Sequence, residues 1–176
     1  MFTPERILLS AASLLATVAM AGAESPNLGR AVTVDEALSY NISIAPDGVG
    51  LPPGGGTAQR GQAIYEAKCL ACHGEKGAGK PNDQLVGGSG SLKGDQPAIK
   101  TVGSYWPYAT TLFDYVRRAM PFNAPKSLTD DEAYAVSAYI LHLNGIIGYE
   151  DVVDAHSLPK VVMPNRNGFA PFPSAR

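Results

Sequence analysis

The run Cys69-Leu70-Ala71-Cys72-His73 decides how the rest of the chain is read. It contains both cysteines of the sequence, and a histidine follows the second one directly. At the spacing Cys-x-x-Cys-His, two thiols can form thioethers with the vinyl groups of one porphyrin while the adjacent imidazole is placed to ligate the iron from one face. The run therefore predicts one covalently attached haem c, bonded to Cys69 and Cys72 and ligated by His73. Three other uses of such a pair are weaker. A zinc site wants four ligands, which two cysteines and three scattered histidines hardly supply. A redox dithiol expects a βαβ context, and the residues upstream look helical. A disulfide over two intervening residues would constrain the unfolded chain little.

Working outward, residues 58–68 form a helix-compatible stretch that leads straight into the motif, with Gly61 and Tyr65 four apart on one face. Downstream, Thr129 with Glu132 makes a capping box, and Val136, Tyr139, Ile140 and Leu143 form an apolar stripe that Asn144-Gly145 stops. Between them, Leu112, Phe113, Tyr115 and Val116 suit a third helix over 110–119, ended by Met120-Pro121. Residues 74–101, rich in Gly, Lys and Asp, read as a loop wrapped on the histidine side. This arrangement resembles the class I cytochromes c. In that family a glycine eight residues before the first cysteine and an aromatic four before it meet the C-terminal helix, and Gly61 and Tyr65 stand at those places. The resemblance implies an all-α, class I cytochrome c fold around one haem with extended N- and C-terminal arms, and it sets Tyr139 beside Gly61.

The second axial ligand decides what such a haem can do, because a methionine thioether favours reversible electron transfer and an open position permits catalysis. Met120 stands shortly before the last helix, as in small class I cytochromes, and is the leading candidate. Met163, in a later arm able to fold back, competes with it, and His142 and His156 are lesser alternatives. Each of these residues also has an ordinary structural use, Met120 as a gap-filler at a helix end.

Composition sets the frame. The 176 residues, 45% hydrophobic and 17% charged, suit one modest domain with extensions. A net charge of −2 and the lack of any basic run exclude a nucleic-acid partner. Residues 1–23 read as an export signal, with Arg6, an apolar stretch and alanines at 19, 21 and 23 in A-x-A spacing. The apolar run falls short of the roughly 20 residues that span a bilayer. The expected organisation is a signal over 1–23, a Pro/Gly-rich arm over 24–56, a cytochrome domain over 57–148 and a second arm over 149–176, in a periplasmic, soluble protein. The arms either wrap a partner or cover their own domain.

A closer resemblance lies in the run from Lys100 to Phe122, including Tyr105-Trp106-Pro107-Tyr108 and Arg117-Arg118-Ala119-Met120-Pro121-Phe122. It continues through Leu128-Thr129-Asp130-Asp131-Glu132, Leu143-Asn144-Gly145-Ile146-Ile147 and residues 158–169. These segments resemble the haem domain of SoxD, the cytochrome subunit of the Sox sulfane/sulfite dehydrogenase. That subunit often carries a second cytochrome domain, and this sequence has a single Cys-x-x-Cys-His. The resemblance implies an electron-transfer subunit, not itself an enzyme. Its partners would be a molybdenum-cofactor sulfite or sulfane dehydrogenase subunit and a downstream acceptor such as another cytochrome. A haem enzyme acting directly on a sulfur compound and a free shuttle for another periplasmic dehydrogenase are the alternatives. Tyr105, Trp106, Arg117 and Arg118 could hydrogen-bond haem propionates or simply belong to the core.

Overall fold

The computed structural model describes residues 28–95 and 97–170; the expected export signal lies outside them. The chain divides into two units, one ending at Asn41 and one beginning at Ile42. In the first, α1 (Val34–Tyr40) is a short helix inside the arm expected to be extended. Thr33 explains its start, since its Oγ1 accepts from the Glu36 amide at 3.2 Å, and Arg30 pairs with the Glu36 carboxylate.

The second unit carries the fold. In chain order it holds β1 (Gly55–Thr57), α2 (Ala58–Lys68), α3 (Leu70–His73), α4 (Ala109–Ala119), α5 (Asp130–Leu143) and β2 (Val152–Asp154). Short 3-10 turns lie at Glu75–Gly77 and Leu158–Lys160. The two strands pair antiparallel, with Gly55 opposite Asp154 and Thr57 opposite Val152. This small sheet is absent from the sequence reading, because a three-residue strand beginning Gly-Gly carries no alternation to read.

Helix boundaries follow the side chains that cap them. Thr57 accepts from the Arg60 amide and opens α2. At α5 the capping box forms in both directions: Thr129 Oγ1 accepts from the Glu132 amide at 3.2 Å, and the Glu132 carboxylate accepts from the Thr129 amide at 2.9 Å. Asp130, Asp131 and Glu132 in the first turn also face the positive end of the helix dipole. Helix α4 ends where Met120 turns extended and Pro121 follows.

The core forms where α2 and α5 cross. A Cβ on Gly61 would lie 1.9 Å from the Ala135 carbonyl oxygen and 2.9 Å from Tyr139 Cβ, so the two backbones touch and only glycine fits. One turn on, the Tyr65 and Tyr139 rings meet at 5.4 Å, and Lys68 pairs with Glu132 at 2.7 Å. Helix α4 joins through Phe113 and Tyr134, whose rings lie 4.2 Å apart. Leu112 and Val116 are buried as their spacing predicts, whereas Tyr115 is exposed and meets Trp106 edge-on at 5.8 Å. The segment after α5 returns to the same core: Val153, Leu158 and Met163 are buried, and Asn165 Nδ2 donates to the Tyr105 carbonyl at 2.7 Å.

The helix crossing yields the first test. Replacing Gly61 by alanine forces backbone apart from backbone, and such overpacking costs about 3 kcal/mol. A guanidinium titration of the holoprotein should show the midpoint falling accordingly, while Gln59→Ala, an exposed position of the same helix, should move it by only about 0.5 kcal/mol or less.

Candidate functional site

Cys69 ends α2 and begins α3, with φ −123° and ψ −34°. Its amide donates to the Tyr65 carbonyl at 2.8 Å, and its own carbonyl accepts from the amides of Cys72 at 3.1 Å and His73 at 3.0 Å. One tight turn therefore brings Cys69, Cys72 and His73 together. Both thiols are free; Cys72 is exposed, and Cys69 and His73 are half-buried. Burial pushes the Cys69 thiol up to about 11, against the opposing pull of Lys68, so the free thiol is neutral at ordinary pH.

The turn ends at Gly74, whose φ of 73° lies in the left-handed region and whose added Cβ would meet the Gly79 carbonyl at 2.4 Å. From there the loop doubles back. The Gly79 amide donates to the His73 carbonyl, and the Asn82 amide to that of Cys72, both at 2.8 Å. His73 Nδ1 lies 2.8 Å from the Asp83 carbonyl oxygen. A carbonyl can only accept, so Nδ1 is the donor, and in the neutral imidazole this leaves the lone pair on Nε2. On the other side, the Tyr65 hydroxyl donates to the Gly74 carbonyl at 2.8 Å.

This donor set fits a haem c: two free thiols on one turn, and an imidazole whose Nδ1 is tethered while Nε2 is available to a metal. The remaining candidates separate by burial. Met120 caps α4, half-buried, with its amide on the Val116 carbonyl at 3.1 Å. Met163 is 1% exposed and packed in the hydrophobic core, so its thioether is already taken up by protein contacts. His142 Nδ1 lies 3.2 Å from the Ile147 carbonyl, and His156 is an exposed residue of a turn closed by Asp154. Arg117 and Arg118 are engaged by carboxylates, Asp130 and Asp114, each at 2.6 Å, rather than held ready for propionates. The recess of about 180 Å³ beside these arginines contains no residue of the Cys–His turn.

Sequence reasoning missed the Asp83 carbonyl and treated Asn144 only as a helix stop. A backbone acceptor has no sequence signature; an asparagine just past a helix end is a signal, but of capping alone.

The chain is similar to known cytochrome-family and sulfur-oxidising proteins. The family described as cytochrome c oxidase, cbb3-type, subunit III matches residues 56–140. A chain of the crystal structure of the sulfane dehydrogenase SoxCD from Paracoccus pantotrophus matches with a TM-score of 0.77 and 39% identity, over 85% of this chain and 73% of that one. Thiosulfate dehydrogenases of Allochromatium vinosum and Psychrobacter arcticus are 32% and 29% identical, in each case over 58% of this chain. The chain spans about a third of their length, 34% and 32%.

The buried tyrosines predict an alkaline limit to stability. Burial pushes the phenols of Tyr65 and Tyr134 up to about 12. A raised value means that the folded state holds the proton more tightly than the unfolded chain, whose phenols titrate near 10. The stabilisation is complete below about pH 10 and is lost as pH rises towards 12. Unfolding midpoints measured from pH 8 to 12 should stay level and then fall, and the fall should be shallower in Tyr65→Phe.

Proposed function

The chain belongs to the c-type cytochromes, in the family of the SoxD haem domain, and on that footing we propose that it is an exported, periplasmic mono-haem electron carrier of sulfur oxidation. In this reading Cys69 and Cys72 would hold the haem through thioethers, and His73 and Met120 would be the ligands to its iron. Bound there, the haem supplies a reversible one-electron iron couple. The partner is the molybdenum-cofactor subunit of a sulfite or sulfane dehydrogenase, and a further cytochrome takes the electrons onward.

The observation that carries this reading is the tether from His73 Nδ1 to the Asp83 carbonyl. It selects the tautomer whose Nε2 can ligate and holds the ring against rotation, as the unmoving ligand of an electron carrier requires. Burial supports Met120 over Met163, since a core thioether could reach a metal only by leaving its packing. A methionine on the second face leaves no position for substrate, so the protein relays electrons and does not itself oxidise the sulfur compound. Sulfite oxidation releases two electrons and a single haem accepts one, so the carrier must be reoxidised between transfers. No helix among the described residues is long and apolar enough to cross a membrane, and the export signal read over 1–23 supports the periplasmic assignment.

The thiosulfate dehydrogenase relatives favour a second reading, in which the haem acts on the sulfur compound directly. Ligation separates the two. In oxidised holoprotein, the far-red sulfur-to-iron band should be present, vanish in Met120→Ala and survive in Met163→Ala. The Met163 variant should instead lose about 2–5 kcal/mol of stability through its cavity. Mixed with sulfite or thiosulfate alone, the wild type should stay oxidised, and it should be reduced once a molybdenum dehydrogenase is added. Rapid reduction by thiosulfate alone, with no far-red band, would transfer the assignment to the enzyme.

A further inference from the structure

The loop that tethers His73 contains Gly74, Gly77, Gly79, Gly87 and Gly88, and it closes on itself where the Leu85 and Val86 amides donate to the Gly77 carbonyl at 2.9 and 3.2 Å. A second set of hydrogen bonds fastens it from outside. At the end of α5, Asn144 Oδ1 accepts from the Gly87 amide at 3.1 Å, while Nδ2 donates to the Leu85 carbonyl at 3.2 Å and to the Ile140 carbonyl at 2.9 Å. Each partner has a fixed polarity, so the orientation of the carboxamide is determined, and three of its four hydrogen-bonding positions are used. The clip sits two residues beyond Asp83, whose carbonyl holds His73. Thr101 reinforces it by donating from Oγ1 to the Gly87 carbonyl at 2.6 Å, and the Val102 amide donates to the Leu85 carbonyl at 3.3 Å.

We propose that Asn144 is a positioning residue for the axial histidine: its carboxamide clips residues 85–87 to the end of α5 and so sets how strongly the Asp83 carbonyl engages His73 Nδ1–H. The inference rests on His73 being the haem ligand. Helix α5 is a suitable anchor because its contact with α2 at Gly61 is backbone to backbone, and α2 runs directly into Cys69. The histidine is thus held by its own turn on one side and, through loop and clip, by α5 on the other.

Gly103 belongs to the same device. A Cβ there would lie 2.1 Å from Asn144 Oδ1, so the absence of a side chain at 103 makes room for the carboxamide. Two variants therefore disturb the clip by different routes: Asn144→Ala removes it, and Gly103→Ala displaces it while leaving asparagine in the chain.

A strong hydrogen bond from Nδ1–H makes the imidazole a better donor and favours ferric iron, so a loosened clip should favour the ferrous state. Redox titration of the holoprotein should show both variants shifted about threefold to tenfold towards the reduced form, tenfold being 59 mV for one electron. The control is Thr129→Ala, which removes the capping box at the opposite end of α5 and costs about 1 kcal/mol without touching the loop. It should lower stability and leave the potential unchanged. If Asn144→Ala yields no folded holoprotein, Gly103→Ala carries the comparison. Wild-type potentials in the clip variants, or an equal shift in Thr129→Ala, would overturn the proposal and leave the haem assignment standing. A wild-type spectrum without histidine ligation would overturn both.

Discussion

The direct backbone contact between α2 and α5 is the constraint on which the rest of the second unit depends. At Gly61 nothing but hydrogen separates the helix from the Ala135 carbonyl, and Gly56 repeats the closeness one step earlier, where a Cβ would lie 2.6 Å from Ala135 Cα. This proximity sets the depth at which Tyr65 and Tyr139 meet and lets Lys68 reach Glu132. It also fixes where α2 ends, and so where Cys69 stands. Interiors packed to crystal-like density transmit such a constraint over several turns, because no slack exists to absorb it.

Much of this was legible in the residues. The resemblance to class I cytochromes c set Gly61, Tyr65 and Tyr139 at the helix crossing, Thr129 and Glu132 announced the start of α5, and Met120-Pro121 the end of α4. These are local signals with local causes: a missing Cβ, a cap, a residue without an amide proton. What escaped was non-local. The strands pair across the whole helical core, and Val153, Leu158 and Met163 enter that core from an arm for which wrapping a partner and covering its own domain were both open. Tyr115 lies on the expected helix but is exposed, because helical periodicity places a residue on a face without saying where the buried part of that face stops. At the site, the Cys–His turn was readable to the residue, but its support was not, since a backbone carbonyl at Asp83 leaves no trace in the sequence.

The site and the fold share their parts economically. Tyr65 is at once a core aromatic and the donor that holds the Gly74 carbonyl beyond His73. Helix α5 closes the core along its middle and governs the loop at its end. A rigid frame of this kind suits a centre that gains and loses an electron with little movement, in keeping with membership of a cytochrome family. The tether of His73 is a neutral backbone carbonyl.

The β1–β2 pair joins Gly55 to Asp154, and the whole helical core lies between them in sequence. Contacts of such separation are entropically late, because the intervening chain must first be ordered. The pair therefore acts as a clasp that closes after the helices have met. That order matters in time: the Cys–His turn is built from contacts close in sequence and can form while the polypeptide is still open at its clasp, so the final closure comes after the turn is made.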